Sequence, residues 1–275
     1  MRVAIVGLGL MGGSFGLALK KSMDDITIIG FDHNDNHCSE AIEHGLVDEI
    51  VTFAEVKKAD LIILAIPVEG VIASLEELTD ISEETTIIDL GSTKAKIVEK
   101  TPKVIRQNLV AAHPMAGIEK FGPSAAFDSL YKNQIVVLCA SEGSGKKHVE
   151  KAVKVFEALE MQIVYMGAKE HDLHAAYISH LPHALSYALA NSVLKQEDPE
   201  SILVLAACGF RDMSRIAKSS PHMWSDIFRQ NRDNLLTTIE DFEKELSFAK
   251  KMIQEENWSE LESWMQNATT LHKIL

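Results

Sequence analysis

The chain has 275 residues, 46% hydrophobic and 24% charged, enough to bury one large or two medium cores. A formal net charge of −13 argues against a nucleic-acid partner, which would call for a basic surface. Cys38, Cys139 and Cys208 lie far apart with no CxxC pair, which fits a reducing cytoplasm better than a disulfide framework. No uncharged apolar run is long enough to span a bilayer, so no membrane role is expected.

The first element sets the reading of the rest. Arg2 followed by an uncharged stretch to Leu19 superficially resembles a secretory leader, but glycines at 7, 9, 12, 13 and 16 make a poor apolar helix. The stretch reads instead as a strand over 2–7 running into Gly7-Leu8-Gly9-Leu10-Met11-Gly12 and a helix. In that pattern Gly7 makes the turn, Gly9 lets backbone approach a pyrophosphate, and Gly12 lets the helix pack on the strand. The first helix amides then face the anion. A second apolar run over 26–31 ends in Asp32, 20 residues past Gly12. An acidic residue there accepts hydrogen bonds from a ribose and repels a 2′-phosphate, so NAD is expected over NADP.

Further strands are expected over 60–66, 85–90, 108–112, 135–140 and 162–166, several apolar nearly throughout, as suits a mostly parallel sheet buried on both faces. Helical segments fall between them, including Val68–Leu78 and Lys94–Gln107, the latter interrupted at Pro102. The fold class is therefore α/β, a Rossmann-type doubly wound sheet over 1–166. Ligands of such sheets bind beyond the carboxyl ends of the strands. Pro67 ends one strand near the expected nicotinamide. Ser92 follows another; it reads either as the N-cap of the helix after it or as that plus a site residue. His113, at the end of 108–112 and followed by Pro114, is placed to serve as a base, with a structural histidine as the bland alternative.

After Gly167 no strand is expected. Helical spacing runs through 169–195, 222–255 and 257–273, and Leu181–Leu194 is apolar nearly all round, as in a helix buried on most sides. A helical domain over 167–275 that apolar points to a homodimer. His180 and His183 lie three apart, as do His171 and His174. They read as a metal pair or, without a completing carboxylate or cysteine, as hydrogen-bonding groups of a pocket, and no metal is expected. Arg211 and Arg215, four apart, would share one side of a helix. They read as a surface charge pair or, with the other clusters, as an anion clamp.

Taken together, the glycine turn, Asp32, DLGSTKAK (89–96), HPMAG (113–117), SHLPHAL (179–185) and GFRDMSRIAKSSPHMW (209–224) resemble, in order and over essentially the whole chain, the prephenate dehydrogenases of tyrosine biosynthesis. The resemblance implies a nucleotide domain joined to an all-helical dimerisation domain. It also implies NAD-dependent oxidation and decarboxylation of prephenate to 4-hydroxyphenylpyruvate. By motif, His113 resembles the catalytic histidine on the ring hydroxyl and Ser92 its neighbour beside the nicotinamide. Arg215 resembles the arginine on a substrate carboxylate, His183 and Trp224 resemble pocket residues, and Arg211 resembles a cation reaching the partner subunit's site. Gly7, Leu8, Gly9, Leu10, Met11, Gly12, Asp32, Pro67 and Ser92 would hold NAD. Ala206-Ala207-Cys208-Gly209 stands where relatives are richer in glycine, which loosens any inference of feedback by tyrosine. No room is expected for a fused mutase or regulatory domain. Arogenate, which differs from prephenate by an amino for a keto group, is the alternative substrate. A 3-hydroxyacid dehydrogenase would carry a catalytic lysine in a glycine-rich helix where this chain has its two histidines. A protein that binds NAD without chemistry would not need a base and a clamp.

Overall fold

Eight strands form one sheet in the computed structural model, which describes residues 1–274. They are β1 (Arg2–Val6), β2 (Thr27–Phe31), β3 (Glu49–Ile50), β4 (Leu61–Leu64), β5 (Thr86–Asp89), β6 (Leu109–Pro114), β7 (Ile135–Cys139) and β8 (Gln162–Met166). Their order is β3-β2-β1-β4-β5-β6-β7-β8, and all pairs are parallel except β6 with β7. The helices of this half are α1 (Leu10–Ser22), α2 (Asp35–Glu43), α3 (Phe53–Val56), α4 (Val68–Glu77), α5 (Ala95–Lys100) and α6 (Lys146–Ala158). Alternate residues of one strand point to opposite faces, and each face here has its own core. Val3 and Ile5 pack with Phe15, Leu19 and Phe156, whereas Ala4 and Val6 pack with Ile62, Val71, Leu75 and Ile97. A strand buried on both sides must be apolar throughout, as Leu61-Ile62-Ile63-Leu64 is.

In the sheet half the structure departs from the sequence reading in three places. Two-residue β3, too short for a periodic pattern, adds an edge to β2. β6 runs past the expected end, so His113 and Pro114 are strand residues opposite Val137 and Val136 of the antiparallel β7. Pro114 is tolerated there as the last residue of the strand. The helix after Ser92 starts later than expected, at Ala95. It stops at Lys100 because the residue before Pro102 is driven into extended backbone, after which a short 3₁₀ turn covers Lys103–Ile105.

Beyond Met166 the chain is helical: α7 (Ala168–Ala175), α8 (Leu181–Leu194), α9 (Pro199–Val204), α10 (Cys208–Ser214), α11 (Pro221–Gln230), α12 (Arg232–Gln254) and α13 (Trp258–Thr269). A π-type turn over Ala176–His180 joins α7 and α8 into one rod. Pro182 explains it: a proline has no N–H to donate four residues back, and its ring crowds that carbonyl, so the turn widens. Within one chain α8 is not buried on most sides, as the sequence had implied. Only Ser186 is buried, and Ile178, Leu194, Val204 and Leu205 of this half stand exposed. Among the described residues no helix is long and apolar enough to cross a membrane.

Two carboxylates of the helical half fasten it to the sheet half. Asp172 accepts the amides of Lys94 (2.7 Å) and Ala95 (2.9 Å) at the start of α5, and Asp226 accepts the amide of Val68 (3.1 Å) at the start of α4. Both satisfy helix-start donors that have no acceptor within the helix, and both place negative charge at the positive end of the helix.

Candidate active site

The glycine turn opens at the carboxyl end of β1, and α1 follows it directly. Gly7 takes a positive φ of 92°, and a side chain on it would strike the carbonyl of Ala65. A Cβ on Gly12 would lie 1.9 Å from the carbonyl oxygen of Gly7, so only glycine permits α1 to sit this close. A Cβ on Gly9, by contrast, meets nothing within 4 Å. Open space over that glycine, next to the unclaimed first amides of α1, is a cradle that fits a pyrophosphate. The side chains of Leu8 and Leu10 are buried in the core, so these residues can offer a ligand only backbone.

Asp32 stands one residue past β2 and is tied from both sides. It accepts the Leu8 amide (2.8 Å) and the Asn34 amide (2.9 Å), with the His37 ring 3.3 Å away. Each carboxylate oxygen retains lone-pair capacity for a ribose hydroxyl. An open hollow of about 570 Å³, lined by Asp32, His33, Asn34, Asp35 and Asn36, lies beside it. Pro67 is exposed at the start of α4.

Ser92 is half-buried in the link between β5 and α5, and the expected capping role is not what it does. Lys94 is the N-cap residue, and the start of α5 is satisfied by Asp172 from the other domain. Lys94 itself is wholly buried. Its ammonium is paired with Asp89 and donates to the carbonyl of Ala112 (2.7 Å), the residue before His113.

His113 is half-buried on β6, with Nδ1 2.8 Å from Nε2 of His171. Burial, reinforced by His171, Lys94 and His180, holds its pKa well below the ordinary histidine value, so its ring is neutral at pH 7. His171 in turn faces Asp172 at 2.8 Å. Neither His171 nor Asp172 stood out in the sequence as a partner of His113. The only available signal was their adjacency at the first helix of the second domain, which carries no information about burial.

The two histidine pairs separate in space. His171 is buried against His113 while His174 is exposed. His180 is buried beside Asn231 (3.0 Å) and meets Trp224 edge-on, and burial pushes its pKa down to about 4. His183 donates from Nδ1 to the carbonyl of Ser179 (2.9 Å), which leaves Nε2 as an acceptor, and its ring stacks on Trp224 at 3.4 Å. The indole N–H of Trp224 is buried with no hydrogen-bond partner, an unmade bond that a ligand acceptor would satisfy. No group of three or more metal-type ligands occurs among the described residues.

The arginines do not form one clamp. α10 ends at Ser214, and the tighter turn over Arg215–Lys218 breaks the four-residue register. Arg211 is exposed and donates to its own backbone at Ala206 (3.1 Å), while Arg215 is paired with Glu119 from the loop after β6. Glu119 carried no signal in the sequence. That loop lines a second hollow, of about 590 Å³, with Ile118, Glu119 and Phe121 among its walls.

A dinucleotide cradle with a neutral histidine at the neighbouring strand ends is the working part of a nicotinamide-dependent dehydrogenase. A helical domain is fastened against it. Family models narrow this further: one described as prephenate dehydrogenase, nucleotide-binding domain, matches residues 15–165, and one described as its dimerization domain matches 167–267. The chain belongs to the prephenate dehydrogenase family. It is 34% identical to the prephenate dehydrogenase of Bacillus subtilis strain 168 over 273 residues, covering 97% of this chain and 74% of that protein. The crystal structure of prephenate dehydrogenase from Aquifex aeolicus, solved with hydroxyphenyl propionate and NAD+, superposes with a TM-score of 0.93 at 34% identity. That match covers 99% of this chain and 97% of the other. Synechocystis arogenate dehydrogenase superposes with a TM-score of 0.81 at 28% identity, covering 99% of each chain.

Proposed function

We propose that this chain catalyses the NAD-dependent oxidative decarboxylation of prephenate to 4-hydroxyphenylpyruvate and carbon dioxide. The observation that carries it is the neutral, half-exposed His113 beside the glycine cradle, in a chain matched along its length by prephenate dehydrogenases. Bound NAD supplies the hydride acceptor. Gly7, Gly9 and Gly12 shape the cradle and the first amides of α1 meet the pyrophosphate. Asp32 takes the ribose hydroxyls. His113 accepts the proton of the ring hydroxyl at Nε2, and Ser92, half-buried just beyond the end of the adjacent strand β5, steadies that hydroxyl. Arg215 exchanges Glu119 for a substrate carboxylate. His183 and Trp224 close the pocket with one acceptor nitrogen and one donor nitrogen. Departure of the ring carboxylate as carbon dioxide makes the ring aromatic, which drives the step without a metal.

The exposed apolar side chains of the helical half support a homodimer formed through it, within reach of which Arg211 serves the partner's site. Free Cys38, Cys139 and Cys208 support a cytoplasmic enzyme. Tyrosine, which shares the product's ring and carboxylate, is the candidate feedback inhibitor. The likeness to Synechocystis arogenate dehydrogenase favours arogenate as the second substrate reading. Initial rates at the absorbance band of reduced nicotinamide, with prephenate and arogenate each crossed against NAD and NADP, test the proposal. Prephenate with NAD should give the highest kcat/KM. No reduction of either cofactor with either substrate would overturn it.

A further inference from the structure

Catalysis by His113 requires one particular tautomer, and the structure holds a device that selects it. The chain of contacts runs His113 Nδ1 to His171 Nε2 (2.8 Å), then His171 Nδ1 to Asp172 Oδ1 (2.8 Å). Asp172 also accepts the amides of Lys94 and Ala95, so it acts as an acceptor on every side. The hydrogen therefore lies on His171 Nδ1, which leaves His171 Nε2 with a lone pair. That lone pair obliges His113 to carry its hydrogen on Nδ1, so its Nε2 is the bare nitrogen. The base on a strand of the sheet half is thus set by two residues of α7 in the helical half.

The same chain has somewhere to send a charge. Lys94 donates to the carbonyl adjoining His113, and His180 lies nearby, so an imidazolium on His113 would face positive neighbours. His171 faces a carboxylate. Lys94, His171 and His180 are the groups that bear on His113, and Asp89 is already occupied by Lys94.

We propose that His171 and Asp172 are positioning residues that hold His113 as its Nδ1–H tautomer and take over its charge during turnover. The inference rests on the reading of His113 as the base. The substrate hydroxyl proton moves to Nε2 of His113 as the hydride leaves. The Nδ1 proton moves to Nε2 of His171, and the cation comes to rest on His171 against Asp172. Once the ring is aromatic, the proton on His113 Nε2 returns to the phenolate oxygen and the His171 proton returns to His113 Nδ1, so the relay resets with no net proton released.

Nitrogen-15 NMR of the full-length protein, labelled at histidine, reads the tautomer without any substrate. His113 should show a protonated Nδ1 and a bare Nε2; the reverse assignment overturns the lock. The transfer is read by single-turnover reduction of NAD in mixtures of light and heavy water. The wild type should give a curved dependence on deuterium fraction, from two protons in motion, and a linear one overturns the transfer. His171→Gln keeps an acceptor for His113 but cannot take a second proton. It should make that dependence linear and lower kcat about tenfold with both KM values within twofold, whereas wild-type kcat in this variant overturns the proposal. His113→Asn keeps the two failures apart. If it retains turnover, the base reading has failed; if it loses turnover while His171→Gln does not, only the relay has.

Discussion

The two sides of the site are built in opposite ways. His113 is half-buried on a strand paired on both edges, backed by buried His171, Asp172 and Lys94, with each contact a formed hydrogen bond. Arg215 is 59% exposed, sits on a short turn, and is paired with Glu119 from a loop. The difference follows from what each must do. A base has to await each substrate as one tautomer and in its neutral form, which calls for a rigid and dry setting. A clamp has to trade one carboxylate for another at every turnover, and an exposed ion pair, worth little in water, is easily traded.

The comparison is broken most directly at the base. His113→Asn should lower kcat by roughly 10²–10⁴-fold with small changes in either KM, because it removes the proton acceptor and leaves a hydrogen-bonding group. In the wild type the acid limb of the kcat profile should lie below the ordinary histidine value of about 6.5, since a lowered pKa keeps the ring neutral further into acid. A limb at or above that value would show that the base is held in a wetter place than this structure gives it.

Acid should loosen the rigid side through His180. His180 is 1% exposed with a pKa pushed down to about 4, so it must stay neutral when folded while the unfolded chain protonates near 6.5. The folded state is therefore at no disadvantage above that pH and loses stability as pH falls toward 4. This group alone accounts for about 3 kcal/mol by then. Urea unfolding at pH 7 and pH 4 measures the loss, and His180→Gln, which cannot titrate, should show a smaller one. An equal loss in the variant would place the acid sensitivity elsewhere.

On the pliant side the effects should fall on binding. Arg215→Ala gives up a charge-assisted pair worth roughly 1.5–3 kcal/mol, or about ten- to a hundredfold in the KM for prephenate, with NAD affinity unchanged. A normal KM for prephenate would remove Arg215 from the site. Smallest is Asp32→Ser, about tenfold in kcat/KM with NAD together with a relative gain for NADP. Steady-state rates with the two cofactors decide it, and a wild type that uses NADP equally well would reassign Asp32 to holding the Leu8 amide alone.

The rigid side was the more legible in the sequence as a frame and the less legible as a mechanism. Runs such as Leu61–Leu64 announce strands because burial on both faces leaves no room for polar residues, and the glycine spacing announces the cradle because backbone has to pass where no Cβ fits. Two-residue β3 announces nothing, and an antiparallel partner for β6 cannot be read from the apolar run that forms it. His171, Asp172 and Lys94 were invisible as a unit: they come from distant stretches, and a charged residue carries no mark of being buried. Ser92 looked like a cap because it stands directly before the helical run, whereas the true acceptor lies about eighty residues on, in the other domain. Arg211 and Arg215 were paired by counting residues along a helix that ends between them.

Asp172 and Asp226 carry a consequence for modularity. A Rossmann sheet is commonly regarded as a portable unit, a module that can be excised or recombined with a foreign partner. Here the helices that follow β4 and β5 begin with amides satisfied from the other domain, at Val68, Lys94 and Ala95. Cutting the chain after Met166 would leave those starts bare and His113 without the ring that orients it. A chimera that set this sheet against another enzyme's helical half would have to bring a carboxylate to each of those two places, so the two halves are joined by inheritance as closely as by their linker.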